Sequence, residues 1–191
     1  MKVFCFALLI LVVISIGCSK SKYERMVETE LAKEGKVDSL FLGLKFGMTM
    51  EEFFEHCWDL NKQGIITDGR GNTAAQYKLS ELSHHAFMDF YPEFYEEKIY
   101  KMPVEFRYNG WAPWNKHLSS DSLLMDVKQL MIKWYGGEFL GMQKPDGSTF
   151  FVKVDGNRRI LIYIYDRRIV KVVFTDLLTE RKLMNENGFF D

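Results

Sequence analysis

The stretch that decides the fold is TFFVKVDGNRRILIYIYDRRIVKVVF, residues 149–174. It holds three runs of alternating apolar residues, rich in the β-branched and aromatic types that favour strands. The runs are separated at Asp155-Gly156 and at Asp166-Arg167. Because Asp-Gly between alternating apolar runs is a strong hairpin signal, the segment predicts a three-stranded antiparallel meander.

A helix is predicted directly before this meander. Ser120 is a suitable cap, and Gly136 is a suitable end. Between them, apolar residues recur at the three- and four-residue spacing of one helix face. These residues are Leu123, Leu124, Val127, Leu130, Met131 and Trp134.

The first half of the chain repeats this order. Thr49 and Glu52 form the capping pattern T-x-x-E, 71 residues before the second cap at Ser120. Phe53 and Phe54 are expected to hold this first helix against the sheet. Strand-like runs follow at 74–82, 85–91 and 98–108. Pro103 predicts that part of the last run is an edge or a bulge. Cys57, on the apolar stripe of the helix, is expected to be a small core residue.

These patterns predict an α+β fold of two tandem units, each a helix followed by an antiparallel meander. The units would form one curved sheet with the helices on one face. The first unit spans 38–110, a tryptophan-containing linker spans 111–119, and the second unit spans 120–191. The second unit is expected to end in a short helix that Thr175 opens and Gly188 closes.

The N-terminus predicts export. A single basic residue, Lys2, precedes the uncharged run 3–17 and then Cys18, which is the layout of a secretory signal. ISIGC, residues 14–18, resembles the lipobox of bacterial lipoproteins, and this resemblance implies that Cys18 is acylated, for example with palmitate. Cleavage near Gly17 without acylation, or an uncleaved anchor, remain alternatives. Residues 18–37 are rich in Lys and Glu and predict a solvated, charged tether, with partial helix as an alternative.

Two phrases support a wider resemblance. LFLGLKFGMTMEEFFEHCWDLNKQG at 40–64 and QLMIKWYGG at 129–137 are similar to a group of uncharacterised bacterial envelope lipoproteins. The order of elements also resembles the β-lactamase-inhibitor-protein fold and the small lipoprotein of the outer-membrane assembly machinery. The resemblance implies an envelope location and a sheet face that binds another protein, with no inherited catalytic residues. Since 19–22 lacks an acidic run, we expect the periplasmic side of the outer membrane, with the cell surface as the alternative.

Composition excludes some functions. With 25 basic and 26 acidic residues, the chain offers no general attraction for nucleic acid. Of its three cysteines, Cys5 lies in the predicted signal and Cys18 at the predicted acylation site, which leaves Cys57 alone. The folded part is therefore expected to contain no intramolecular disulfide and to depend on apolar burial.

Catalytic and metal-binding patterns are missing from the sequence. The chain has no G-x-S-x-G, and Ser119 and Ser120 beside His117 are explained by helix capping. His84 and His85 are adjacent, so on a strand they point to opposite faces and cannot share a metal ion. We therefore predict no catalytic residues, no metal and no cofactor.

Four aromatic residues are the candidates for binding. Trp111 and Trp114 lie in the linker, and Phe94 and Tyr95 lie in the connection at 91–97. Such residues either cover the core or anchor a partner, and the first interpretation is favoured. The sequence predicts a lipid-anchored, non-enzymatic envelope protein that binds a protein or peptide. The alternatives are a carbohydrate-binding protein or hydrolase that uses the tryptophan linker and Asp121, and a scaffold without a specific ligand.

Overall fold

The computed structural model describes residues 20–69, 71 and 74–188, so Cys18 and the predicted signal lie outside the described residues. Within that part of the chain there are four α-helices and nine strands, which confirms the α+β class. The helices are α1 (Lys22–Leu31), α2 (Met50–Lys62), α3 (Ser120–Tyr135) and α4 (Leu177–Glu186), with a 3-10 helix at Lys116–Leu118. The strands are β1 (Ile66–Asp68), β2 (Ala75–Leu79), β3 (Ala86–Phe90), β4 (Glu93–Tyr95), β5 (Lys98–Tyr108), β6 (Leu140–Gln143), β7 (Thr149–Asp155), β8 (Arg158–Ile164) and β9 (Val170–Asp176).

All nine strands belong to one antiparallel sheet. Its order is β1-β2-β3-β5-β9-β8-β7-β6, and β4 pairs with β5 beyond the end of β3. The predicted meander is confirmed as β7, β8 and β9, with Ile160 opposite Phe174. Each half of the chain supplies a helix and then its strands, and the two halves meet where β5 pairs with β9.

The core lies between one face of this sheet and helix α3. Strand register puts Val104 opposite Val172, and Phe106 opposite Val170, on the same face. Leu123, Val127 and Met131 of α3, which follow the predicted helical spacing, are buried in the same cluster. No helix in the described residues is long and apolar enough to cross a membrane.

The expectation that all helices lie on one face is wrong. Helices α2 and α3 pack on the core face, whereas α1 and α4 pack on the other face. There, Val27 of α1 forms a separate buried cluster with Val154 of β7 and Leu177 of α4. Register explains this, because Val154 lies opposite Arg159 and therefore points away from the core face.

The predicted tether is partly helical, in agreement with the alternative, but it is docked on the domain rather than solvated. Residues Lys22–Leu31 form a helix that packs on the domain, because a few apolar side chains give it one apolar side. Arg159 of β8 donates to the Tyr23 hydroxyl of this helix (3.2 Å). It also donates to Glu180 of α4 (2.6 Å). A segment that composition describes as charged is thus docked on the sheet.

The residue that caps the start of a helix is the predicted one for α2, and it differs by one position for α3 and α4. The Thr49 hydroxyl accepts from the Glu52 amide (3.2 Å), and the Glu52 carboxylate accepts from the Thr49 amide (2.7 Å), which confirms the capping box. Ser119, rather than Ser120, caps α3. Asp176 rather than Thr175 caps α4, because Thr175 is fully buried within β9.

Pro103 lies where β5, a central strand, is locally an edge, which agrees with the expectation that part of this run is an edge or a bulge. On one side Pro103 lies opposite Val173 of β9. On the other side β3 ends opposite Val104, and β4 begins opposite Lys101. Pro103 thus falls at an interruption between two partner strands, where a residue without an amide proton is tolerated.

Docking of α1 gives a first prediction. Val27→Asp puts a charge into the cluster with Val154 and Leu177, so we expect α1 to detach while the sheet stays folded. Hydrogen exchange should show protection in Lys22–Leu31 falling by about tenfold or more, with protection in β8 and β9 unchanged. Thr29→Asp, on the exposed side of the same helix, is the matched control. Equal loss in both variants would contradict specific docking.

Candidate functional site

Helix α2 carries apolar residues on two adjacent sides. Phe53 is buried at 2% exposure and faces the core. Phe54 and Trp58 follow at helical spacing and are 50% and 62% exposed. Phe54 was expected to hold the helix on the sheet, and this is wrong, because the core side of the helix is already filled by Phe53 and Leu60.

These exposed rings border a groove of about 600 Å³ between α2 and the β1 edge of the sheet. Phe54, Trp58 and Tyr91 form its rim, and Tyr91 is 41% exposed. Phe53 and Ile66, both buried, also line the groove and connect it to the core. We call this site the aromatic groove.

The rings of the aromatic groove are held by one another. The Phe53 ring lies edge-on to Tyr91, with 5.9 Å between ring centres, and to Phe54, with 5.6 Å. Phe94 packs behind them, 6.3 Å from Phe53. These side chains are already restrained by packing. Binding of a ligand to them therefore costs the protein less conformational entropy than binding that must order a loop.

Cys57 lines the aromatic groove and also packs against the core, in partial agreement with its expected core position. Burial raises the pKa of its thiol to about 11. The thiol therefore stays protonated at neutral pH and behaves as a small apolar group. Its chemistry favours an apolar binding surface over a nucleophilic site.

An acidic stripe runs beside the aromatic groove on the same helix. Glu51, Glu55 and Asp59 are exposed at successive four-residue steps. Lys62 lies 3.7 Å from Asp59, and its ammonium is 5.3 Å from the centre of the Trp58 ring. Within the described residues, neither Glu51 nor Glu55 has a basic partner within 4.0 Å.

The structure does not bring the four predicted binding residues together. Phe94 and Tyr95 lie on β4, beside the first residues of β5. Trp111 and Trp114 follow the other end of β5, whose eleven residues span roughly 35 Å. Two separate surfaces are therefore involved, and the binding role of each residue stays a prediction.

Each surface has its own contacts. The Tyr95 hydroxyl donates to Glu186 of α4 (2.6 Å), and this bond raises the pKa of Tyr95. Trp111 packs against the core, and the Arg168 guanidinium lies 5.4 Å from its ring centre. Trp114 is 85% exposed. Tyr95 and Trp111 thus make structural contacts, whereas Trp114 projects into solvent.

Away from α1 and α4, the sheet face opposite the core carries buried and half-buried ion pairs. Buried Asp89 accepts from Arg107 (3.1 Å) and from Gln76 (2.7 Å). On the neighbouring strands, Glu105 and Lys171 lie 3.1 Å apart. Because a ligand there would have to replace satisfied ion pairs, this face offers less to an apolar partner than the aromatic groove does.

One cluster has the residue types of a hydrolase but a different arrangement. Asp126 accepts directly from the hydroxyl of Ser83 and from that of Tyr108 (2.9 Å), and the His84 ring packs edge-on to Tyr108 with 5.6 Å between centres. A catalytic triad needs histidine between the hydroxyl and the acid. Among the described residues, no group of three or more His, Cys, Asp or Glu side chains is placed to hold a metal ion.

Comparisons with protein families, with curated proteins and with solved structures gave no match to this chain. The case for a site therefore depends on its own geometry. Sequence reasoning missed Phe54, Trp58 and Tyr91 as surface residues. The available signal was a second apolar stripe, Met50, Phe54 and Trp58, beside the one that contains Phe53.

Stability measurements should separate the two sides of α2. Phe53→Ala removes a buried ring and should lower the free energy of unfolding by about 3–5 kcal/mol. Trp58→Ala removes a mostly exposed ring and should change it by about 0.5 kcal/mol or less. Urea denaturation followed by circular dichroism measures both. A large loss for Trp58→Ala would mean that its ring serves the core.

Proposed function

We propose that this protein is a lipid-anchored, non-enzymatic component of the bacterial cell envelope that binds another protein or a peptide at the aromatic groove. The observation that carries the proposal is the group of exposed rings, Phe54, Trp58 and Tyr91, above a buried aromatic base. Large aromatic side chains dominate the energetics of protein interfaces, and clustered exposed ones are uncommon on a surface without a partner.

The chemistry of the groove supports a macromolecular partner over a reaction. Its walls are mostly apolar, and its one thiol stays protonated at neutral pH. The alternative, a carbohydrate-binding protein or hydrolase near the tryptophan linker, has one supporting observation, the exposure of Trp114. This alternative is weaker, because the Trp111 ring already contacts the Arg168 guanidinium and packs on the core.

Anchoring is proposed through acylation of Cys18, on the outer membrane and facing the periplasm. Helix α1 begins at Lys22, four residues after Cys18, and four extended residues span about 14 Å. Docking of α1 on the sheet would then hold the domain close to the bilayer. Two acyl signals or more give stable anchoring, whereas one chain gives only reversible binding.

The finer fold assignment is part of the same proposal. We propose a β-lactamase-inhibitor-protein-like arrangement of tandem helix-and-meander units. The supporting feature is that α2 precedes the strands of one half of the sheet and α3 precedes those of the other half.

The anchor is tested by Cys18→Ala. We expect the variant to leave the membrane fraction or to accumulate unprocessed, because the acylated sulfur is lost. Fractionation of cells and mass spectrometry of the mature N-terminus measure both outcomes. Ser19→Ala, next to the site, is the control and should stay membrane-bound. A mature N-terminus at another residue, without acyl mass, would contradict the proposal.

The groove is tested by cross-linking in intact cells followed by mass spectrometry. We expect cross-linked partners of the wild-type protein to be lost in Trp58→Ala, because the variant removes a groove wall and leaves the core intact. Trp114→Ala is the matched control, since it removes an even more exposed tryptophan elsewhere. Recovery of the protein alone, or partners that are insensitive to Trp58→Ala, would overturn the proposal.

A further inference from the structure

We propose that the aromatic groove binds a basic amphipathic segment of its partner, with an apolar side chain in the groove and Lys or Arg on the acidic stripe. This inference depends on the proposed function, because it names the chemistry of the ligand at the same site. It commits to a cationic protein or peptide segment.

The two stripes of α2 supply the geometry. Met50, Phe54 and Trp58 are exposed and apolar, at steps of four residues. Glu51 lies three residues before Phe54, and Glu55 three before Trp58, so the two stripes are neighbours along the helix. Residues four apart on a helix are about 5–6 Å apart, so each stripe extends for about two turns. A segment with apolar residues on one side and cations on the adjacent side matches both.

Among the described residues that line the groove, the charged side chains are acidic. Glu55 lines it on the helix side, and Asp68 lines it on the β1 side. Lys62 is shared with Asp59 and Trp58, which leaves Glu51 and Glu55 without a basic partner within 4.0 Å in the described residues. Complementary charge raises the association rate with a cationic segment, and like charge repels an acidic one.

Acidic side chains also predominate on the side of the stripe that faces away from the groove. A second depression there is lined by Glu52, Glu55 and Asp59, and also by Lys45 and His56. No carboxylate of the described residues lies within 4.0 Å of the Lys45 ammonium. Lys45 therefore leaves the carboxylates of the stripe available to a ligand.

Trp58 already shows how a cation is accommodated. The Lys62 ammonium lies over its ring at 5.3 Å, within the range of a cation–π contact. An arginine or lysine of a partner that approaches along the stripe can occupy the same type of position. The ring then serves both parts of the ligand, the apolar side chain and the cation.

Two other occupants are less suited to this surface. An anionic membrane surface would be repelled by the exposed carboxylates beside the apolar stripe. A second copy of the chain would bring its own acidic stripe if two α2 helices met.

The test uses three dye-labelled helical peptides with the same leucine and tryptophan positions and with Lys, Gln or Glu at the polar positions. Binding to the purified protein is followed by fluorescence anisotropy at low and high salt. We expect the Lys peptide to bind about tenfold or more tightly than the Glu peptide, with the difference shrinking as salt screens the charges. The Gln peptide should fall between them.

Variants locate the effect. Glu55→Lys should weaken the Lys peptide by about tenfold and strengthen the Glu peptide, because it reverses charge in the middle of the stripe. Glu138→Lys makes the same change at an exposed position between α3 and β6, and should leave both affinities unchanged. Trp58→Ala should weaken all three peptides, since it removes the apolar contact that they share.

The outcomes separate the two proposals. Equal affinity for the Lys, Gln and Glu peptides, lost in Trp58→Ala, would overturn the basic-partner inference and keep the groove as a binding site. Peptide affinities that do not respond to Trp58→Ala would overturn both. Concentration-dependent dimerisation by sedimentation, lost in Trp58→Ala, would make a second copy the occupant and overturn the inference.

Discussion

Pairing of β5 with β9 is the interaction on which the rest of the structure depends. It is the junction between the two halves of the chain, and its residues Met102, Val104 and Phe106 lie opposite Phe174, Val172 and Val170 on the core face. All six are fully buried beneath the cluster that α3 completes. Neither half alone would cover these side chains, so strands that are about 70 residues apart in sequence must pair before the core closes.

The aromatic groove results from the short edge of the sheet at β1, far from the junction of β5 and β9. Strand β1 ends the sheet and is three residues long, so it offers α2 little surface to cover. Phe53 and Leu60 use that surface, and the adjacent apolar stripe on α2 stays about half exposed. A longer edge strand or another helix would have buried Phe54 and Trp58. The groove thus lies where the sheet is narrowest, on a helix that the capping box fixes at its start.

The sequence predicted where helices and strands lie better than it predicted which side of each one is buried. The Asp-Gly turn and the alternating runs located β7 to β9 because turn chemistry and side-chain period act locally. Periodicity identified the apolar positions of α2, but Phe53 and Phe54 are neighbours, and only the tertiary partners decide which one faces the core. Pro103 marked a local edge within its own strand, but the central position of β5 depends on its pairing with β9, which its own sequence does not show. The docking of α1 depends on a few apolar residues within a charged segment, which composition underweights.

The positions of α1 and the aromatic groove on the sheet connect the two parts of the proposed function. Helix α1 packs on β7, near one edge, and the groove borders β1 at the other edge. Six strand spacings separate β1 from β7, which is about 29 Å along the sheet. With the anchor at Cys18 as proposed, the anchored segment would join the domain on the side where α1 docks, and the groove would lie near the opposite edge of the sheet. A partner could then reach the groove without competing for the surface that α1 occupies.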